Sequence, residues 1–271
     1  MDKVKVARIK GFFPMDKDGF IINPTSKEKI KSHWTDIIAD IIVEYRNAYK
    51  DKVHSIYLRG SVAQGLDIGT VSDLDMFALL YNENGNYIHW KDVSWIKQFQ
   101  KRLFEKYQLQ NKIDLGYSTY VPDVREINLR IQMILKTQSL CVWGKDIIPE
   151  IGKFKPGKEM ILNLKWLESD LNKTIEKLKT TENAEDIKEL CTSIMKIIIR
   201  AGYELVIERE AKFTNQLYQC YESFSTYYPN KKRLMYHALE LFVNPSENKS
   251  TIINIVEELG YWIVRKTVSE T

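Results

Sequence analysis

Residues 58–80 read LRGSVAQGLDIGTVSDLDMFALL, a largely apolar run with two carboxylates, Asp73 and Asp75, on either side of Leu74. The run from 73 to 81, DLDMFALLY, is rich in strand formers. Residues i and i+2 of a strand project to the same face, so Asp73 and Asp75 are expected to point together. Two like charges so placed repel, and partial burial raises the cost. A divalent cation removes the conflict, because Mg²⁺ takes oxygen ligands and is commonly held by one or two carboxylates plus substrate phosphates. Upstream, Gly60-Ser61 follows HSIYL (54–58), a second strand pattern, and opens a short helical stretch, SVAQGL. A helix start offers unpaired N–H groups to a phosphate. Gly60 allows close approach to the backbone, and the Ser61 hydroxyl can donate to a phosphate oxygen. Arg59 adds charge beside that phosphate or forms a structural salt bridge. Gly65 and Gly69 suit a sharp return into the Asp73 strand.

Working outward, TSKEKIKSHWTDIIADIIVEYRNAYKD (25–51) has Thr25 and Glu28 at capping-box spacing, with Trp34, Ile37, Ile38, Ile41, Ile42 and Tyr45 on one helical stripe. After the turn signal Asn84-Gly85, Val93, Ile96, Phe99, Leu103 and Tyr107 mark another helix. KIDLGYSTY (112–120) reads as a third strand, with Asp114 between Ile113 and Leu115. A helix over 123–141, opened by Pro122 and ended at Gly144, completes this half. Three carboxylates on one sheet face would form a cradle for two metal ions in phosphoryl or nucleotidyl transfer.

This pattern resembles the signature of the nucleotidyltransferase superfamily, which includes DNA polymerase beta, the aminoglycoside and lincosamide nucleotidyltransferases and the minimal nucleotidyltransferases. The matching residues are Gly60-Ser61, eleven intervening residues, Asp73-Leu74-Asp75, and Asp114 in the place of the third family carboxylate. The resemblance implies an α+β fold: a small mixed-sheet nucleotidyltransferase domain over 1–150, then an all-α helical bundle over 151–271. It implies ATP, or another nucleoside triphosphate, as substrate and two Mg²⁺ ions. One ion would be held by Asp73 and Asp75, and the other bridged by all three Asp. The product would be an NMP, AMP from ATP, joined to an acceptor hydroxyl.

From Pro156 the pattern is helical only. Met160, Leu164, Leu167, Leu171, Ile175 and Leu178 form one stripe, and AEDIKELCTSIMKIIIRAGYELVIERE (184–210) reads as a long central helix. Three shorter helices are expected near 214–228, 231–243 and 250–266. Lys196, Arg200 and Glu204 fall at i, i+4 and i+8, either as a solvated ion-pair ladder or facing the site. In the second case Lys196 and Arg200 would hold the triphosphate, and Glu204 or Glu208 would be the general base. The aromatic stretch YQCYESFSTYYP (218–229) is read as core packing.

The net charge of +4 comes from lysines scattered among acidic residues, which does not mark a nucleic-acid face. The four histidines lie far apart, so zinc is not expected. Three cysteines without C-x-x-C spacing read as reduced packing residues. No apolar run reaches membrane-spanning length and no secretory leader pattern is found, so a cytoplasmic protein, monomer or homodimer, is expected. The acceptor expected from the domain order is a small polyhydroxylated molecule such as an aminoglycoside-like antibiotic. A transferase acting on tRNA or protein hydroxyls, as in some toxin–antitoxin pairs, and a non-catalytic nucleotide-binding module are the alternatives.

Overall fold

The strand formers of residues 53–59 and 74–81 pair antiparallel as β1 (Val53–Arg59) and β2 (Leu74–Tyr81). In the computed structural model, which describes residues 5–8, 11–67, 73–81, 94–109 and 113–270, they are the centre of a four-stranded mixed sheet. β3 (Ile113–Tyr120) runs parallel to β2, and β4 (Ser139–Gly144) runs antiparallel to β1, giving the order β3-β2-β1-β4. Alternation along the strands sends Ile56, Leu58, Leu74, Met76, Ala78, Ile113 and Leu115 into one core. That face is covered by α1 (Thr35–Tyr49) and α3 (Ser94–Tyr107), with α2 (Gly60–Gln64) following β1. The α1 stripe is buried as its spacing requires, Ile41 and Tyr45 completely. Tyr45 donates its hydroxyl to the carbonyl of Gly116 at 2.7 Å, so the helix is pinned to the sheet by a polar contact as well as an apolar one.

Three local expectations are corrected. The capping box at Thr25 and Glu28 does not form: the Thr25 hydroxyl donates to the Ser139 carbonyl, short 3₁₀ turns occupy 27–29 and 32–34, and α1 starts at Thr35. The helix expected over 123–141 is α4 (Leu129–Gln138) alone, capped by the Asn128 side chain, and the following SLCVWG becomes β4. This segment instead pairs antiparallel with β1, where its backbone groups are satisfied in the ladder from Ser55–Gly144 to Arg59–Ser139. Gly144 is a stop signal, but for a strand. Its φ is +85°, and a Cβ there would lie 2.2 Å from the His54 carbonyl oxygen. The Asn84-Gly85 turn, Gly69 and Val93 lie outside the described residues.

The chain divides into two compact units, one of residues 22–154 and one of 1–21 with 155–271. The second unit is helical: α5 (Asn163–Thr180), α6 (Ala184–Glu204), α7 (Ile207–Glu210), α8 (Leu217–Tyr227), α9 (Lys232–Val243), α10 (Lys249–Ile255) and α11 (Tyr261–Glu270), the last two joined by a π-helical turn over 256–260. Asn183 caps α6 through the N–H groups of Glu185 and Asp186. The single helix expected over 184–210 is broken after Glu204, where the Val206 N–H turns tightly onto the Tyr203 carbonyl. Residues 11–21 group with the helices because Phe13 bonds Phe213 through the backbone at 2.8 Å and packs ring to ring. Tyr218, Tyr221, Phe224 and Tyr228 are buried, as expected of core aromatics. All three cysteines are free thiols. Among the described residues no helix is long and apolar enough to cross a membrane.

Candidate active site

The same alternation that fills the core puts Arg59, Asp75 and Asp114 on the opposite face of the sheet. The register makes them neighbours: Arg59 pairs with Asp75 across β1 and β2, and Asp75 pairs with Asp114 across β2 and β3. Two carboxylates therefore stand side by side at the start of two parallel strands. One nitrogen of Arg59, Nη2, lies 3.3 Å from Asp75 Oδ1 and 3.6 Å from Asp114 Oδ2. The Asp75 side chain is 27% exposed and that of Asp114 is 53% exposed, so both are open to an incoming ion.

Gly60 ends β1 directly beside this pair. Its φ is +80°, and a Cβ built on it would lie 2.7 Å from Asp75 Oδ2. Only glycine suits both the left-handed backbone and that approach. Beyond it, the short helix α2 closes with the Leu66 N–H on the Ser61 carbonyl at 2.9 Å and Gly65 in the left-handed conformation. We expect Gly60→Val to cost about 2 kcal/mol of stability through backbone strain. It should also push the Asp75 carboxylate aside, since that is the mobile partner in the clash. Calorimetric titration with a non-hydrolysable ATP analogue should then show strongly weakened binding, whereas Ser61→Ala should lose only about 1–2 kcal/mol. Unchanged binding by Gly60→Val would mean the phosphates do not approach here.

Asp73 precedes β2 and is exposed, so strand alternation no longer aims it. Among the described residues, no three His, Cys, Asp or Glu side chains are gathered closely enough to hold one ion. The structure thus brings together two of the three expected carboxylates. Their chemistry still fits Mg²⁺, which needs hard oxygen donors and is satisfied by one or two carboxylates when a triphosphate supplies the rest.

Lys196, Arg200, Glu204 and Glu208 belong to the helical unit. Lys196 is exposed, Arg200 half-buried and Glu204 6% exposed, so the three do not share one solvated stripe. Glu204 is not disposed as a general base. Its Oε1 accepts from Asn163 N–H (3.1 Å) and Asn163 Nδ2 (2.6 Å), and its Oε2 accepts from Leu164 N–H (2.7 Å). Both oxygens are spent on the first turn of α5, a helix whose N-cap position, Leu162, has no side-chain cap of its own. Glu208 is exposed on α7.

Sequence reasoning missed Asp67. It is buried, accepts from Trp34 Nε1 at 3.0 Å and has Lys31 Nζ at 3.4 Å, so it ties the segment after α2 to the approach to α1. The only signal was one acidic residue within the otherwise apolar GLDIG. The double role of Arg59 was also illegible, because it depends on strand register.

No protein-family profile matches the chain, and no curated protein matches it. Among solved structures, a spectinomycin adenyltransferase, AAD(9), from Enterococcus faecialis, determined with ATP and spectinomycin, is similar at 12% identity and a TM-score of 0.43, over 84% of this chain and 98% of that one. A toxin–antitoxin structure with AMP-PNP is similar at 21% identity and a TM-score of 0.28, over 41% of this chain and 77% of that one.

Proposed function

We propose that this protein is a metal-dependent nucleotidyltransferase that moves AMP from ATP onto a hydroxyl of a small polyhydroxylated acceptor of the aminoglycoside type. The observation that carries the reading is the paired Asp75 and Asp114 on adjacent strands, opposite the left-handed Gly60 at the end of β1. A chain with no need for a cation gains nothing from two adjacent carboxylates on parallel strands. The order of a sheet unit and a helical unit supports the small acceptor, through the resemblance to aminoglycoside-modifying members.

In this reading Asp75 and Asp114 would hold Mg²⁺, which when bound supplies charge neutralisation for the triphosphate and a more acidic acceptor hydroxyl. Gly60 keeps the backbone bare so that the triphosphate can lie close to it. Ser61 donates its hydroxyl to a phosphate oxygen and so orients the chain of phosphates. Arg59, always charged, balances the negative charge that gathers on the leaving group. The acceptor oxygen forms a bond to the α-phosphorus as the bond to the bridging oxygen breaks, and pyrophosphate departs in line.

The test is incubation with each α-labelled nucleoside triphosphate and Mg²⁺ against panels of aminoglycosides, RNA and proteins. Label from ATP on an aminoglycoside is the expected result. Label on RNA or protein would move the acceptor to the macromolecular class. No transfer to any panel would overturn the enzymatic reading.

A further inference from the structure

We infer that the Arg59 guanidinium is a built-in competitor for the metal position, holding Asp75 and Asp114 together until a divalent cation displaces it. The inference rests on the metal reading above and goes beyond it. A single nitrogen, Nη2, is shared between the two carboxylates, at 3.3 and 3.6 Å. A committed guanidinium–carboxylate pair closes to about 2.7–2.9 Å, usually through two nitrogens. The contact here is looser and divided: it cancels repulsion between two neighbouring carboxylates without binding either tightly.

The backbone of Arg59 cannot move to release them. It is extended, with φ −138° and ψ −179°, and is laddered on both sides, to Asp75 in β2 and Ser139 in β4. Exchange must therefore be a side-chain swing, and the side chain is 32% exposed, which leaves solvent for it to turn into. An arginine suits this role because it stays charged at every working pH, so only another cation relieves it. A divalent ion carries twice the charge and reaches carboxylate oxygens at about 2.0–2.1 Å, so it wins when present at sufficient concentration. The displaced guanidinium is one residue from Gly60, where the phosphates are placed in this reading, and becomes available to them. The same side chain thus passes from carboxylates to phosphate as the site loads.

The test uses Mn²⁺ as probe, with the free ion followed by electron paramagnetic resonance in the absence of nucleotide. Arg59→Gln and Arg59→Met should both bind Mn²⁺ about three- to ten-fold more tightly than the wild-type chain, the range expected for losing partly exposed ion pairs. Asp114→Asn should weaken binding in either background. With Mn²⁺ saturating, the Arg59 variants should bind a non-hydrolysable ATP analogue more weakly. Effects of opposite sign on metal and nucleotide are the signature, and loss of packing alone would not produce them. Thermal melting establishes that each variant is folded. Equal or weaker Mn²⁺ binding by both Arg59 variants, with binding still dependent on Asp114, would overturn this inference while leaving the metal reading intact. Absence of Asp114-dependent binding in every variant would remove the metal reading itself.

Discussion

Under the proposed function, Asp75→Asn is expected to leave the fold standing and to abolish nucleotidyl transfer, a loss on the order of a thousandfold or more. Asn keeps the volume of Asp and loses the charge that a hard cation requires. Asp75 is part-exposed, its ion pair to Arg59 is long at 3.3 Å, and Arg59 keeps Asp114 as a partner. The substitution also removes repulsion between register neighbours. Stability should therefore change by less than about 0.5 kcal/mol in either direction, as for other exposed pairs. Urea denaturation and a transfer assay on the same preparation separate the two effects. Retained turnover in Mg²⁺ would sink the assignment of Asp75 to the metal, and a large loss of stability would show that the carboxylate is structural.

Glu204→Ala does the reverse, with a large loss of stability and no specific loss of chemistry. Removing the carboxylate leaves the Asn163 N–H, the Asn163 amide and the Leu164 N–H without their acceptor at the start of α5. At about 1 kcal/mol or more for each stranded group, the expected cost is about 3 kcal/mol. Glu204→Gln keeps an acceptor oxygen and should lose less. It also carries a pH signature. Burial raises the Glu204 carboxyl above the ordinary range, against hydrogen bonds from Leu164 and Asn163 that favour its charged form. A carboxyl raised on folding binds its proton more tightly in the native chain. Its contribution to stability is full below the unfolded value, about 4.3, and declines as pH rises through the raised folded value. The Gln variant does not titrate, so its stability should be flatter across that window. Denaturation curves between pH 4 and pH 8 measure the difference. If Glu204→Gln folds with wild-type stability and pH dependence but loses kcat, the capping role is wrong and a catalytic one returns.

The sequence by itself determined the elements that rest on local periodicity. The i, i+3, i+4 stripe from Ile37 to Tyr45 makes α1 and the 164–178 stripe makes α5, because each has one good way to bury its apolar side. The run of strand formers in DLDMFALLY makes β2, buried throughout residues 76–80. It also marked Gly60, Asp75 and Asp114 as candidates, since charge within an apolar strand and a glycine at a strand's end both stand out from their surroundings. The tertiary structure alone decided what depends on partners distant in sequence. SLCVWG is a strand because it pairs with β1, and Thr25 serves the Ser139 carbonyl because that carbonyl arrives there. Glu204 accepts hydrogen bonds from Asn163 and Leu164 because the first turn of α5 lies against it. Arg59 meets Asp75 and Asp114 together only because an antiparallel and a parallel register align three residues from three strands. Periodicity is a property of a single segment and can be read from it. A hydrogen bond or ion pair between residues 16 to 114 positions apart in sequence is set by packing, which no single segment contains.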